Sequence, residues 1–418
     1  MIPKDSPLWK KAHSTIQTMY KRIKVFVIFI FLFQLISFSC NERDCRHDLI
    51  NIQSGDSTIR VKISYPEKWI NKDKIIVWST SPISNNFISD SIVINKFLSM
   101  DPILRRALLD SGYVNIEYIG RKDSITYNNR IYSNIDARTK ANDLNNLLNY
   151  LHTEKQLKDK KIILVGHSEG GEINAMVASR NKDNICAMVQ LASPSVSGKE
   201  TVEYQREQFG YRDFLFSSGK GIQTLMDKSA NIMSSLDSYH KASIDGVKQF
   251  FKENIEPLED FIYRFDTMDS IYYHIDLYLR ERWENEDNET KEKYKNNFEN
   301  YYEIFAHVFT PHQITLRKFD PEKYYPFIKC PVLAVQGTED ERVDCYPNIE
   351  NMDRLLKSGG NLYFEKMILE GYHHNLAKGD EGNQYLELEG QWVSVQSKSN
   401  LSVDDDVINR IVKWIDKK

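Results

Sequence analysis

Short apolar segments alternate along most of the chain with longer segments of helical periodicity. The apolar segments are rich in β-branched residues and carry apolar side chains at consecutive positions, as strands buried on both faces of a sheet do. They lie at 74–79, 113–119, 161–165, 185–191, 331–336 and 362–369, after a hairpin pattern at 48–53 and 58–65. Helical patterns lie at 94–110, 139–152, 169–180, 348–358 and 403–416. Strands joined by helices of this length require right-handed crossovers, so we predict an α/β fold with a mostly parallel sheet.

The alternation is interrupted between about residues 200 and 325. No buried-strand pattern occurs there, and aromatic residues recur at helical spacing within dense charge, as at 270–283 and 294–309. We predict a helical insertion that covers the functional site as a cap, with most of its aromatic residues packed between helices. The expected organisation is core at 56–200, cap at 201–325 and core again at 326–418.

The N-terminal segment has the features of an export signal. Residues 23–39 form an apolar run, and Lys21 and Arg22 precede it as the positively charged flank of a signal peptide would. A start at Met19 gives a compact signal that ends before Cys40. This cysteine follows a small residue, as the acylated cysteine of bacterial lipoproteins does, so we expect its lipidation.

Residues 1–39 are therefore expected to be a signal region, and residues 40–55 a linker that enters the first strand. The exported protein would be anchored to the membrane of the bacterial cell envelope through its N-terminal lipid. An uncleaved signal anchor is the alternative, because the apolar run approaches the length that spans a bilayer.

Charge and cysteine spacing limit the partners. The formal net charge is −4 and no long run of Lys and Arg occurs, whereas phosphate binding requires concentrated positive charge. We therefore expect no nucleic-acid partner. The five cysteines do not have metal-ligand spacing, so no metal is predicted. Cys330 and Cys345 are expected to be free buried thiols at opposite ends of a strand.

The segment Gly166–Gly170 has the pattern G-x-S-x-G around Ser168. The pattern alone is only moderately specific, but here the apolar strand 161–165 ends directly before it and a helical pattern of small and apolar residues follows. A strand, a tight turn and a helix project a serine hydroxyl above a sheet, at the helix end that favours negative charge. We predict that Ser168 is a nucleophile.

A serine hydroxyl needs a base, and the base needs a group that orients it. In enzymes with this elbow the chain order is serine, acid, histidine. Asp340 lies just after the strand 331–336, where the loops of parallel sheets collect functional groups. Its neighbours Glu339, Glu341 and Asp344 are competing carboxylates.

The base is ambiguous between two adjacent histidines. His373 and His374 both follow the strand 362–369; we favour His374 as the base and place His373 in a packing role. His167, beside the nucleophile, is expected to point away from the substrate and to be structural.

The oxyanion of a tetrahedral intermediate requires two backbone N–H donors. The first is expected from Glu169, directly after the nucleophile. The second is expected from the loop after the strand 74–79, at Thr80 or Ser81.

Four segments carry a specific resemblance: GHSEGG (166–171), the loop 79–82, CPVLAVQGTED (330–340) and LEGYHHNL (369–376). Together they resemble bacterial α/β-hydrolase esterases, a group related to the dipeptidyl-peptidase and serine-aminopeptidase branches, and the similarity covers about residues 56–418. The resemblance implies an eight-stranded, mostly parallel sheet with helices on both faces, and it implies Ser168, Asp340 and His374 as catalytic residues.

These observations favour a serine hydrolase that cleaves a small carboxylic ester through an acyl-enzyme without a cofactor. A peptidase or thioesterase with the same three residues is one alternative. A catalytically inactive envelope binding protein on the same fold is another, although such proteins commonly lose one of the three residues.

Overall fold

A computed structural model of the chain describes residues 46–67, 72–79, 100–119, 121, 124–127, 130–133, 135–181, 184–210, 249, 251–305, 309–379, 383–388, 391–396 and 402–418. The strands are β1 (Arg46–Ser54), β2 (Ser57–Tyr65), β3 (Lys74–Ser79), β4 (Val114–Ile119), β5 (Ser124–Tyr127), β6 (Arg130–Ser133), β7 (Lys161–His167), β8 (Ile185–Leu191), β9 (Val332–Gly337), β10 (Phe364–Leu369), β11 (Asn383–Leu388) and β12 (Gln391–Gln396). Eight of them form the main sheet, in the order β1-β2-β4-β3-β7-β8-β9-β10.

The sheet is parallel from β4 to β10. β3 pairs in parallel with both β4 and β7, and β7, β8, β9 and β10 follow in parallel. β2 departs from this direction, because it pairs antiparallel with β4. The carboxyl ends of β3, β7, β8, β9 and β10 therefore share one edge of the sheet, where loops carry functional side chains.

The consecutive apolar residues of the central strands arise because both faces of the sheet are covered. Along β3, Ile75 and Val77 belong to one hydrophobic core, and Ile76 and Trp78 belong to the other. Side chains of a strand alternate between the faces, so a strand between two cores needs an apolar residue at every position. All six residues of β9 are buried.

Helices cover both faces. The described helices of the core are α1 (Met100–Asp110), α2 (Ala137–Thr153), α3 (Glu169–Ala178), α4 (Gly198–Gln205), α10 (Cys345–Ser358) and α11 (Asp405–Lys417). α2, α3 and α10 contribute to one core, with Leu144 and Leu355 among its buried residues. α1 and α11 contribute to the other, with Leu104 and Ile411. The eight-stranded, mostly parallel sheet with helices on both faces is therefore confirmed.

The described residues between 201 and 325 contain helices and no strand. After a π-helical turn at Arg206–Gly210 they are α5 (Glu256–Arg264), α6 (Met268–Asn285), α7 (Asn288–Lys293), α8 (Phe298–Phe305) and α9 (Pro311–Arg317). These helices enclose a hydrophobic core of their own, in which Trp283, Tyr301 and Phe305 are buried. The boundaries 201 and 325 stay predictions.

Two hairpins were not expected from the sequence. β5 pairs with β6 directly after β4, and β11 pairs with β12 after β10. Each hairpin is a two-stranded sheet outside the main sheet, so its segments lack the continuous apolar run by which the central strands were recognised. The predicted boundaries of the other strands differ from the observed ones by a few residues at most.

The two cysteines that flank β9 are free and buried, as predicted. Residues 1–39, Cys40 and residues 94–99 of the first predicted helix lie outside the described residues. Within the described part of the chain, every helix is too short or too polar to cross a membrane.

The central strand β7 should be the part of the sheet most sensitive to lost volume. Leu164 is fully buried there, and we expect Leu164→Ala to lower the free energy of unfolding by about 2–5 kcal/mol, because the removed methyl groups leave a cavity. Urea denaturation followed by circular dichroism measures this change.

Leu362→Ala is the matched control, because Leu362 is 75% exposed. It should change the free energy of unfolding by no more than about 0.5 kcal/mol. Equal effects of the two substitutions would contradict the assignment of β7 to the centre of the core.

Candidate active site

Ser168 occupies a sharp turn between a strand and a helix. β7 ends at His167, α3 begins at Glu169, and Ser168 itself has φ 55° and ψ −124°. A non-glycine residue with positive φ is strained, and such strain persists only where the surrounding structure imposes it. The serine hydroxyl is consequently presented at the carboxyl edge of the sheet, as predicted for a nucleophile elbow.

Close packing explains the glycine at position 170, two residues after the serine. A Cβ atom at Gly170 would overlap the backbone carbonyl of Ser79, at the end of β3. The Ser79 hydroxyl donates a hydrogen bond to Asn174 Oδ1 at 2.6 Å. The end of β3 therefore lies directly against the first turn of α3, which only a residue without a side chain permits at position 170.

The structure brings the three predicted catalytic side chains together. His374 Nε2 lies 3.0 Å from Ser168 Oγ, and His374 Nδ1 lies 3.0 and 3.1 Å from the two carboxylate oxygens of Asp340. An ionised carboxylate only accepts hydrogen bonds, so Nδ1 carries the proton and Nε2 is left to accept one from the serine hydroxyl. Asp340 and His374 are buried, with 1% and 7% of their surface exposed.

Asp340 accepts four further hydrogen bonds, three on its carboxylate and one on its main-chain carbonyl. Gln336 Nε2 donates to Oδ2 at 2.7 Å, and the backbone N–H groups of Arg342 and Val343 donate to Oδ1 at 2.9 Å each. The Tyr204 hydroxyl donates to the main-chain carbonyl of the same residue at 2.7 Å. The orientation of Asp340, and through it that of the imidazole, is therefore fixed by its surroundings.

His373 faces a different direction from His374. Its Nε2 contacts the carbonyl oxygen of Gly379 at 2.6 Å, and its backbone N–H donates to Ala377 at 3.0 Å. Leu376 has a φ of 51°, which turns the chain tightly at this point. The loop thus places His374 against Ser168, and His373 closes the turn.

Of the predicted oxyanion donors, only Glu169 is among the described residues. It is the first residue of α3, and the first N–H groups of a helix have no partner within it. Thr80 and Ser81 lie outside the described residues. Ser79, directly before them, lies against the first turn of α3, as described above.

A buried charged cluster adjoins the nucleophile. Lys140 of α2 donates to both carboxylate oxygens of Glu169, at 2.9 and 2.8 Å. His312 of α9 lies 3.3 Å from the same carboxylate, at an angle that does not make a hydrogen bond. Burial lowers the pKa of His312 although Glu169 opposes the shift, so the ring is neutral at neutral pH. Burial, together with repulsion from Glu169, raises the pKa of the fully buried Glu172 well above its ordinary value.

Sequence reasoning missed Lys140, His312 and Tyr204, which come from three separate helices. One signal was available for Lys140. It lies on the buried face of α2 with Ala137, Ala141 and Leu144, and a lysine on an apolar stripe is buried only when it is paired. No local pattern distinguishes the other two residues from those of ordinary helices.

The comparison with protein families agrees with this geometry. A model of the α/β-hydrolase fold family matches residues 78–380, which contain all three residues of the hydrogen-bonded chain. The chain belongs to the α/β-hydrolase fold family. A comparison with curated proteins finds no match.

Several solved structures are similar to this member of the family at low sequence identity. An esterase of Pyrococcus furiosus is 14% identical, with 79% of this chain and 84% of that chain covered and a TM-score of 0.42. An acylaminoacyl peptidase of Pyrococcus horikoshii is 16% identical, with 82% of this chain and 39% of that chain covered and a TM-score of 0.41. A bacterial membrane phospholipase A is 14% identical, with 88% and 93% covered and a TM-score of 0.40.

The buried ion pair of Lys140 and Glu169 should matter for stability. Lys140→Met leaves the Glu169 carboxylate buried without its ion-pair partner, and we expect the free energy of unfolding to fall by about 3–5 kcal/mol. Chemical denaturation measures the change.

The exposed pair Lys357–Asp353 is the control, because its side chains are 58% and 35% exposed. Lys357→Met should cost at most about 0.5 kcal/mol. A small effect of Lys140→Met as well would show that the Glu169 carboxylate does not depend on this lysine.

Proposed function

We propose that the protein is a serine hydrolase that cleaves a carboxylic ester of a small molecule through an acyl-enzyme intermediate. The observation that carries this proposal is the unbroken hydrogen-bonded chain Ser168–His374–Asp340, with the serine on a strained turn at the start of α3. A hydroxyl, an imidazole and a carboxylate that are hydrogen-bonded in this order are the parts that nucleophilic acyl transfer requires.

The proposed reaction follows from the direction of these hydrogen bonds. Ser168 Oγ attacks the ester carbonyl while His374 Nε2 takes its proton, and Asp340 stabilises the imidazolium that forms. The imidazolium returns the proton to the leaving alcohol, which gives the acyl-enzyme. A water molecule then repeats the sequence and releases the acid.

Negative charge on the carbonyl oxygen needs donors that are in place before the reaction. We assign this role to the backbone N–H of Glu169 and to a second backbone N–H at Thr80 or Ser81. The positive end of the α3 dipole supports the same charge. Because Lys140 holds the Glu169 side chain at the start of α3, it also fixes the backbone that donates to the oxyanion.

An ester fits the site better than a peptide with a free amino terminus. A peptidase of that type needs an uncommitted carboxylate near the nucleophile to bind the substrate ammonium group. Glu169 is the carboxylate next to Ser168, but two hydrogen bonds from Lys140 already occupy it. Because Lys140 already pairs with the Glu169 carboxylate, a substrate without a charged amine is favoured.

The helical insertion is proposed to cover the site. His312 of α9 contacts the residue directly after the nucleophile, and Tyr204 at the end of α4 donates to the backbone of Asp340. These contacts support a cap that shapes the substrate pocket from both sides of the catalytic chain. Its aromatic residues would then determine which acyl groups are accepted.

Labelling with a fluorophosphonate probe tests the nucleophile. The wild-type protein should label and hydrolyse p-nitrophenyl esters, and Ser168→Ala should do neither. If the wild-type protein does not label, or if Ser168→Ala still labels, the proposal is wrong. A folded wild-type protein that does not label would favour a binding protein without turnover.

The two histidines should differ strongly in their effect on kcat. His374→Ala should lower kcat by at least about 10³-fold, because the base is lost. His373→Ala removes only the contact with Gly379 and should cost less than about tenfold. The reverse order in steady-state assays would assign the base to His373.

We further propose that the protein is exported and attached to the membrane of the cell envelope through lipidated Cys40. The apolar run at 23–39 with its preceding cations supports this location. Mass spectrometry of the mature protein should find a diacylglyceryl group on Cys40 and no residues before it. Mature protein that retains residues 23–39 would instead support a signal anchor.

A further inference from the structure

His167, the residue before the nucleophile, is held between two groups that only accept hydrogen bonds. Its Nε2 lies 2.9 Å from the main-chain carbonyl oxygen of His374, and its Nδ1 lies 3.2 Å from a carboxylate oxygen of Asp101. The side chains of His167 and Asp101 are only 13% and 14% exposed. A carbonyl and an ionised carboxylate both need a donor, so both ring nitrogens carry a proton and the ring is an imidazolium.

From this geometry we infer that His167, oriented by Asp101, is a positioning residue that fixes the backbone of the catalytic base. The inference rests on the proposed function, in which His374 is that base. His374 is then held at two points: its ring by Asp340, and its main-chain carbonyl by His167.

A second contact supports the same role. The backbone N–H of Met100, at the start of α1, donates to the carbonyl of Asn375 at 3.0 Å. Two successive carbonyls of the loop are thus held from one side, by His167 and by the first turn of α1. This anchoring is needed because the loop turns sharply, with positive φ at Gly371 and Leu376, and a displacement of the imidazole by about 1 Å can cost about a hundredfold in rate.

The charged groups around His167 favour its protonated form. Burial opposes the charge, but the carboxylate of Asp101 and the contacts with His374 and Asp340 raise the pKa of His167 to about 9. Burial likewise opposes the ionisation of Asp101, yet His167 and Arg105 hold its pKa below the ordinary value. The pair is therefore ionised across the neutral range, and it adds no net charge beside the base.

This arrangement predicts two separable effects. Loss of the His167 donor should lower kcat, because the loop can move. Loss of the His167 charge should remove the positive charge that lies between the Asp101 carboxylate and the base. The ring centroids of His167 and His374 are 5.1 Å apart, and removal of a positive charge at this range favours the protonated form of His374. The acid limb of the pH profile should then move to higher pH.

The experiment measures kcat and the pH dependence of kcat/KM with p-nitrophenyl esters. His167→Leu, which removes both the donor and the charge, should lower kcat by about ten- to a hundredfold and shift the acid limb upward. The double variant His167→Leu with Asp101→Asn should keep the loss in kcat but return the acid limb to its wild-type position, since neither charge of the pair is left. A residue that only stabilised the fold would move neither limb.

A matched control and a second variant keep the result interpretable. His47→Leu makes the same substitution on β1, an edge strand of the sheet, and should leave both the rate and the pH profile unchanged. If His167→Leu does not fold, the substitutions at Asp101 provide the test. In Asp101→Asn a neutral His167 can keep its Nε2 donor, because the asparagine can still fix the tautomer of the ring. Asp101→Leu removes the group that fixes the tautomer, so we expect a larger loss in kcat for Asp101→Leu than for Asp101→Asn.

The outcomes also separate this inference from the proposed function. If the wild-type protein neither labels with a fluorophosphonate nor hydrolyses esters, the proposed function fails. If the wild-type protein is active and folded His167→Leu has the same kcat and pH profile, the positioning role of His167 is wrong while the proposed function stands. Equal rates for Asp101→Asn and Asp101→Leu would also overturn it.

Discussion

The close approach of α3 to the end of β3 is the constraint on which the site depends. Gly170 lies against the carbonyl of Ser79, and this contact sets how tightly the chain turns between β7 and α3. The turn forces positive φ on Ser168, which directs its hydroxyl out of the sheet. The strain at Ser168 persists because the surrounding strands and helices are packed into the two hydrophobic cores and hold the turn in place.

Much of the fold could be predicted from the sequence because the central strands are buried on both faces. Along β9, the four residues from Val332 to Val335 are all apolar and all buried, and this leaves a continuous pattern that ends close to the observed boundary. The hairpins β5–β6 and β11–β12 carry no such requirement, since each pairs only with itself. Their positions are set by tertiary contacts, which a local pattern does not record.

The site residues also fall into those that the sequence predicts and those that it does not. Ser168, Asp340 and His374 each follow a strand of the parallel sheet, so topology alone places them at a common edge, and the structure joins them by hydrogen bonds. Lys140 and His312 approach the first turn of α3 from helices that are distant in sequence. The role of His167 was equally hidden, because it depends on a carbonyl group 207 positions away, and every residue has a carbonyl group.

The separation of the catalytic groups along the chain has a consequence for how the protein matures. Ser168 and His374 are 206 positions apart, and the helices α5 to α9 lie between them in sequence. Closing so long a segment carries an entropic cost that is recovered only when β9 and β10 join the sheet. A nascent or partly assembled polypeptide therefore contains Ser168 without the imidazole that it contacts in the folded chain. The hydrogen-bonded chain of Ser168, His374 and Asp340 is complete only after β9 and β10 have joined the sheet.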